Sequence, residues 1–157
     1  MNVIETSSGN NLSVDIKPIE DGDYKTLSKS RFFFDWKVEQ EYEVYKLQIL
    51  GTNEIIGLIS LEKIPEEWRV HIRLLTVSKE NKGKEKQYDK IAGNLITHAA
   101  KIAVKEYAEY ACVSLRPKSQ LAHAHYIDKY NMKSTGMTLS IEVPEILDLI
   151  NYYDHEK

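Results

Sequence analysis

The residues best suited to chemistry lie in one stretch, VSKENKGKEKQYDKIAGNLI, from Val77 to Ile96. It reads as the end of a strand, a Lys- and Gly-rich loop, then an amphipathic helix that opens with small residues. The first N–H groups of a helix have no intrahelical partner and the dipole is positive there, so such a start can seat phosphate. Lys79, Lys82, Lys84, Lys86 and Lys90 add positive charge around it. The pattern points to a pyrophosphate-bearing ligand; the plainer alternative is a solvated turn, since short motifs of this kind also occur without a ligand. His71 has a side chain whose ordinary pKa suits proton transfer near neutrality. It shares a strand face with Arg73, and Glu62 lies on the neighbouring strand; a solvated surface His is the alternative.

Other constellations lead nowhere. His123 and His125 are two apart on a helix and point to different faces, so they do not chelate one ion. His98 and His155 are isolated, and no Cys/His spacing supports zinc, so no metal is expected. Cys112, the only cysteine, sits in an apolar strand and reads as core. There is no Gly-x-Ser-x-Gly and no Walker loop.

The elements that must position these residues follow from periodicity. Residues 1–10 are polar and read as loose. A strand is expected over 12–19 and a short helix over 20–30 capped by Asp21 or Asp23. The aromatic cluster at 32–36 is either a core plug or the wall of a cleft. Strands at 43–50, 55–61 and 68–77, with a turn at Gly51-Thr52-Asn53 and a break at Pro65, form an antiparallel meander. A helix at about 88–107 places Ile91, Leu95, Ala99 and Ile102 at core spacing. A short apolar strand at 111–115, a helix at 119–130 capped by Ser119, a strand at 137–143 and a last helix from Pro144 to near Tyr153 complete the order. A helix between two strands favours a parallel crossover. The expected fold is α/β: a mixed, largely antiparallel sheet flanked by helices, with one strand pair splayed where a cofactor enters.

Composition sets the outer limits. The chain has 157 residues, 42% hydrophobic and 29% charged, which suits one globular domain with a real core. A net charge of -3 gives no general push toward nucleic acid or membrane. No apolar run approaches the roughly 20 residues that span a bilayer. The start lacks the basic and apolar segments of a signal peptide, so a cytoplasmic location is expected.

Taken together, these motifs resemble the GNAT superfamily, the Gcn5-related N-acetyltransferases, whose helix start carries Gln/Arg-x-x-Gly-x-Gly/Ala. Gln87-Tyr88-Asp89-Lys90-Ile91-Ala92 matches at Gln87 and Ala92 and departs at Lys90, where the family usually has Gly. The chain is similar in particular to a group of small bacterial GNAT-like proteins. The shared segments are Asn81-Lys82-Gly83-Lys84-Glu85-Lys86-Gln87-Tyr88, Ile91-Ala92-Gly93-Asn94-Leu95, Lys118-Ser119-Gln120-Leu121, His125-Tyr126 and Leu149-Ile150-Asn151-Tyr152-Tyr153, within roughly residues 43–153. A second register, with Lys82-Gly83-Lys84 as the phosphate motif, is the alternative to 87–92.

The resemblance implies acetyl-CoA as cosubstrate and direct transfer of its acetyl group to a primary amine in a ternary complex. It implies cofactor contacts from Leu75, Val77, Lys82, Lys84, Gln87, Tyr88, Asp89, Lys90, Ile91 and Ala92, with strand N–H groups around Leu75 to Val77 serving the oxyanion. It makes Tyr126 the candidate general acid and Tyr130 a second one. In the family a Tyr precedes Gly-Phe by four residues; here Asn131-Met132 takes that place and Tyr126 is five residues before Asn131. His71 and Glu62 are candidate bases, with a water chain as the alternative. The acceptor stays open, and a homodimer is compatible with Ile146, Leu149 and Ile150 on the last helix. A non-catalytic acyl-CoA-binding module and a nucleic-acid-binding protein acting through residues 79–90 are the rival readings.

Overall fold

Alternating β-branched and polar residues build strands, and apolar residues spaced three and four apart build helices. In the computed structural model, which describes residues 1–154, these patterns give β1 (Asn2–Glu5), β2 (Asn11–Pro18), α1 (Lys29–Phe32), β3 (Glu43–Ile49), β4 (Ile55–Ile64), β5 (Arg69–Val77), β6 (Tyr88–Asp89), α2 (Ile91–Tyr107), β7 (Cys112–Leu115), α3 (Gln120–Tyr130), β8 (Lys133–Thr135), β9 (Thr138–Glu142) and α4 (Glu145–Tyr153). The strands hydrogen-bond in the order β6-β1-β2-β3-β4-β5-β7-β9-β8. β5 and β7 are parallel, from Arg69↔Cys112 to Ile72↔Leu115. The β1–β2, β1–β6, β2–β3, β7–β9 and β8–β9 pairs are antiparallel. The mixed, largely antiparallel sheet and the crossover through α2 are therefore as expected. His155 lies outside the described residues.

The chain sorts into two compact units, residues 1–60 with 74–95 and residues 61–73 with 96 onward; β4, β5 and α2 each run through both. In the first unit the aromatic cluster is a core plug. Phe32 and Trp36 are buried with Leu27, Val44, Ile55 and Leu58, and the Trp36 indole N–H donates to the Phe32 carbonyl. Lys46, also buried, is paired with Asp23. In the second unit one sheet face is apolar, with Val70, Ile72, Val113, Leu115, Leu139 and Ile141 buried, and α3 and α4 pack on β9. The register puts Arg69, His71, Ser114, Ser140 and Glu142 on the other face.

Four expectations are corrected. Residues 1–10 are not loose: β1 pairs on both sides and Val3 is fully buried. The long helix begins at Ile91, not 88, because Tyr88 and Asp89 pair with Glu5 and Ile4 as strand β6. Glu20, not Asp21 or Asp23, caps the short helix, here a 3-10 turn over Asp21–Thr26, with Asp23 as its capping-box partner. The strand expected at 137–143 is the second half of a hairpin whose first half, β8, has no apolar residue to announce it.

Candidate functional site

The loop from Ser78 to Lys90 is built around Asn81, which is buried. Its Nδ2 donates to Ser78 Oγ at 2.9 Å, and its Oδ1 accepts from the Tyr88 N–H at 2.9 Å, so one side chain ties the two ends of the loop. Arg31 of α1 holds Glu80 at 2.6 Å, and that pairing, with hydrogen bonds at the Glu80 carboxylate, keeps its pKa below the ordinary carboxylate value although burial works against it. Lys82 Nζ sits 4.0 Å from the centre of the Phe33 ring. Lys86 is paired with Asp89 at 2.9 Å. Two of the lysines counted as a phosphate seat thus already have partners. Of the three others, Lys84 has no ion pair among the described residues.

Lys90 leads into α2 with φ 75°, in the left-handed region, and its N–H is held by Asp89 Oδ1 at 2.8 Å. This is where the family motif has glycine, the residue that adopts such a φ without strain. One turn on, buried Asn94 donates through Nδ2 to the Lys90 and Asn2 carbonyls at 2.7 and 2.8 Å, pinning β1 to the head of α2. Ile91 is buried, and its Cγ2 would lie 2.7 Å from a Cβ placed on Gly57; glycine in β4 lets the helix start approach the strand. Ile91 therefore shapes the helix start from within the core. Gln87 and Tyr88 are fixed by backbone bonds from Thr6 and to Asn81.

Successive N–H groups of a strand point to opposite edges. The Ser78 N–H donates to the Ile56 carbonyl of β4. The N–H groups of Leu75 and Val77, an odd number of residues away, therefore point to the other edge of β5. The parallel ladder on that edge ends at Ile72↔Leu115, while β5 runs on to Val77.

In the second unit, a cavity of about 440 Å³ is lined by Ile64, Arg69, His71, Arg73, Arg116 and Thr138. Buried Ser114 links two of these: its Oγ accepts from Arg69 Nη1 at 2.7 Å and lies 2.8 Å from His71 Nδ1. Arg69 Nη1 also stands 3.4 Å from His71 Nδ1. A guanidinium only donates, so Nδ1 is the acceptor and the neutral imidazole carries its proton on Nε2. Burial, then the charge of Arg69, pushes the His71 pKa below its ordinary value, which keeps the ring neutral at pH 7. Glu62 pairs with Arg73 at 3.6 Å.

Tyr126 lies on α3, and burial pushes its phenol pKa up, so it remains protonated at neutral pH and able to donate. Tyr130 is buried, with its ring between those of Tyr126 and Tyr153 at centroid distances of 5.9 and 6.5 Å. It packs α3 to α4. Among the described residues no group of three His, Cys, Asp or Glu side chains could hold a metal ion, and no helix is long and apolar enough to cross a membrane. Arg69, Ser114 and Arg116 escape a sequence reading. The alternation Arg69-x-His71-x-Arg73 hints at the first, but the two others join through a strand pairing of distant residues.

No protein-family model and no curated protein matches the chain. Solved structures do. The chain is similar to an IAA acetyltransferase from Bacillus cereus ATCC 14579, at TM-score 0.61 and 14% identity over 83% of this chain and 100% of that one. It is similar to a GNAT family acetyltransferase from Elizabethkingia anophelis with acetyl-CoA bound, at TM-score 0.62 and 16% identity over 83% and 98%. It is also similar to the PaiA N-acetyltransferase from Thermoplasma acidophilum in complex with coenzyme A, at TM-score 0.57 and 16% identity over 83% and 99%. The fold of this chain is that of the GNAT acetyltransferases.

Proposed function

We propose that this chain, as one domain over residues 1–157, is a GNAT-superfamily N-acetyltransferase that uses acetyl-CoA and acetylates a primary amine. The observation that carries the reading is the left-handed φ of Lys90 at the motif's glycine position. A backbone conformation costly for lysine, standing at the motif's glycine position, supports a turn built for a ligand. The residues fit such a ligand: the loop is fixed in place by Asn81, Arg31 and Phe33, the head of α2 offers N–H groups, and Lys84 adds charge.

Bound acetyl-CoA would supply an activated acyl carbonyl and a thiolate leaving group. The chain's own part is to position and to move protons. The outward N–H groups of Leu75 and Val77 stabilise charge on the carbonyl oxygen. Tyr126, protonated at neutral pH, donates to the departing sulfur. A C–N bond forms, a C–S bond breaks, and the proton lost by the amine leaves to water. His71 lines the proposed acceptor cavity, and Glu62 pairs with Arg73 of the same lining; the Nε2 of His71 already carries a proton, which makes it a donor rather than a base.

Calorimetry with acetyl-CoA and CoA tests the reading. Micromolar binding is expected for the native chain and loss of it for Ala92→Glu. A carboxylate in the first helical turn favours the helix and repels phosphate, so this variant stays folded while losing the ligand. No heat at millimolar acetyl-CoA would sink the proposal.

A further inference from the structure

Resting on the acetyltransferase reading, we infer that the acceptor is a small amine that also carries an oxyanion, a carboxylate or phosphate group, held in the cavity over Arg69, His71, Arg73 and Arg116. The cavity measures about 440 Å³, within the about 300–1,000 Å³ of small-molecule sites. Three of its six lining residues are arginines. Arg69 is engaged by Glu67 at 2.8 Å and Arg73 by Glu62 at 3.6 Å. Arg116 is exposed and makes no ion pair among the described residues. The cavity therefore holds one guanidinium charge more than its carboxylates balance.

His71 adds to this instead of subtracting. Arg69 and Ser114 occupy its Nδ1, which leaves the Nε2–H as its remaining polar group. A purely cationic amine would meet three arginines and a donor N–H, with the Thr138 hydroxyl as the one side-chain acceptor in the lining. An oxyanion meets forked donors that match its geometry. Thr138 supplies a further hydroxyl at the rim.

Two measurements on the full chain test the inference. The first follows the His71 ring by NMR during titration with inorganic phosphate or acetate. The expected result is a shift of the ring signals and a rise in the imidazole pKa, both weakened about tenfold in Arg116→Gln and kept in Ala92→Glu, which removes only the loop seat. The second compares acetyl transfer to O-phosphoethanolamine with ethanolamine, and to glycine with glycinamide, by release of CoA thiol. The member that carries the oxyanion, in at least one pair, is expected to win by about tenfold or more in kcat/KM, and the pair that does so tells phosphate from carboxylate. In Arg116→Gln its KM should rise while acetyl-CoA affinity stays fixed. Equal use of both members, with no anion response at His71, would overturn the oxyanion site alone. An anion response at His71 without turnover of any amine would instead overturn the acetyltransferase reading and leave the site standing.

Discussion

Lys90 stands at the position where the proposed cofactor motif would carry glycine. Read as letters, a lysine at the glycine position weakens the match. Read as a backbone, φ 75° is a conformation that glycine adopts without strain. A left-handed L-residue costs about 1–2 kcal/mol, whereas glycine adds about 0.4–1 kcal/mol of unfolded-state entropy to be lost on folding. The strain is the larger quantity, so Lys90→Gly should raise stability by about 0.5–1 kcal/mol without weakening acetyl-CoA binding. Urea unfolding and calorimetry on the two proteins check this; a destabilised variant would mean that the lysine side chain holds the turn. The same scale shows what was legible in the sequence. His71 and Arg73 share a face by simple alternation and were readable. The partnership of His71 with Ser114 was not, because a parallel register between residues 43 apart is written in no local pattern.

At the scale of elements, the strands with strong alternation and the long apolar helix could be read directly. The three that escaped, β1, β6 and β8, are two to four residues long and exist through their partners. β6 follows from β1 lying beside it, and β1 is held by Asn94 from the head of α2. This chain of dependence makes the approach of α2 to β4 a sensitive point. Gly57 is where they meet: a Cβ there would lie 2.7 Å from Ile91 Cγ2 and 3.0 Å from Leu95 Cδ1. Ile91 is β-branched and its χ1 is stiff in a helix, so its methyl cannot turn aside cheaply. Gly57→Ala should therefore cost about 1–3 kcal/mol by overpacking, despite the usual gain of replacing glycine in a strand. Acetyl-CoA affinity should fall with it, since the displaced element is the helix start. Thermal melts that leave Tm unchanged would show that β4 and α2 can part without loss.

For the whole molecule, the question is whether two compact units behave as one domain. Length and composition suggest one core, and the chain sorts into two groups of contacts. Three elements decide the issue. β4 and β5 are single strands and α2 is a single 17-residue helix, yet each contributes residues to both units. Unfolding either unit alone would break a strand or a helix in its interior, at Ser60, Arg73 or Leu95, and Leu95 is fully buried. A helix cut there would expose new unpaired N–H and C=O groups and lose cooperativity along its length. Separate melting is therefore disfavoured by covalent continuity alone. Scanning calorimetry should give one transition with equal calorimetric and van't Hoff enthalpies, the signature of two-state unfolding. Acetyl-CoA at a hundredfold excess over its Kd should move that whole transition, adding about 2.7 kcal/mol by mass action. Two transitions, of which the ligand shifts only the one that includes residues 74–95, would divide the chain into independent folding units and end the single-domain reading.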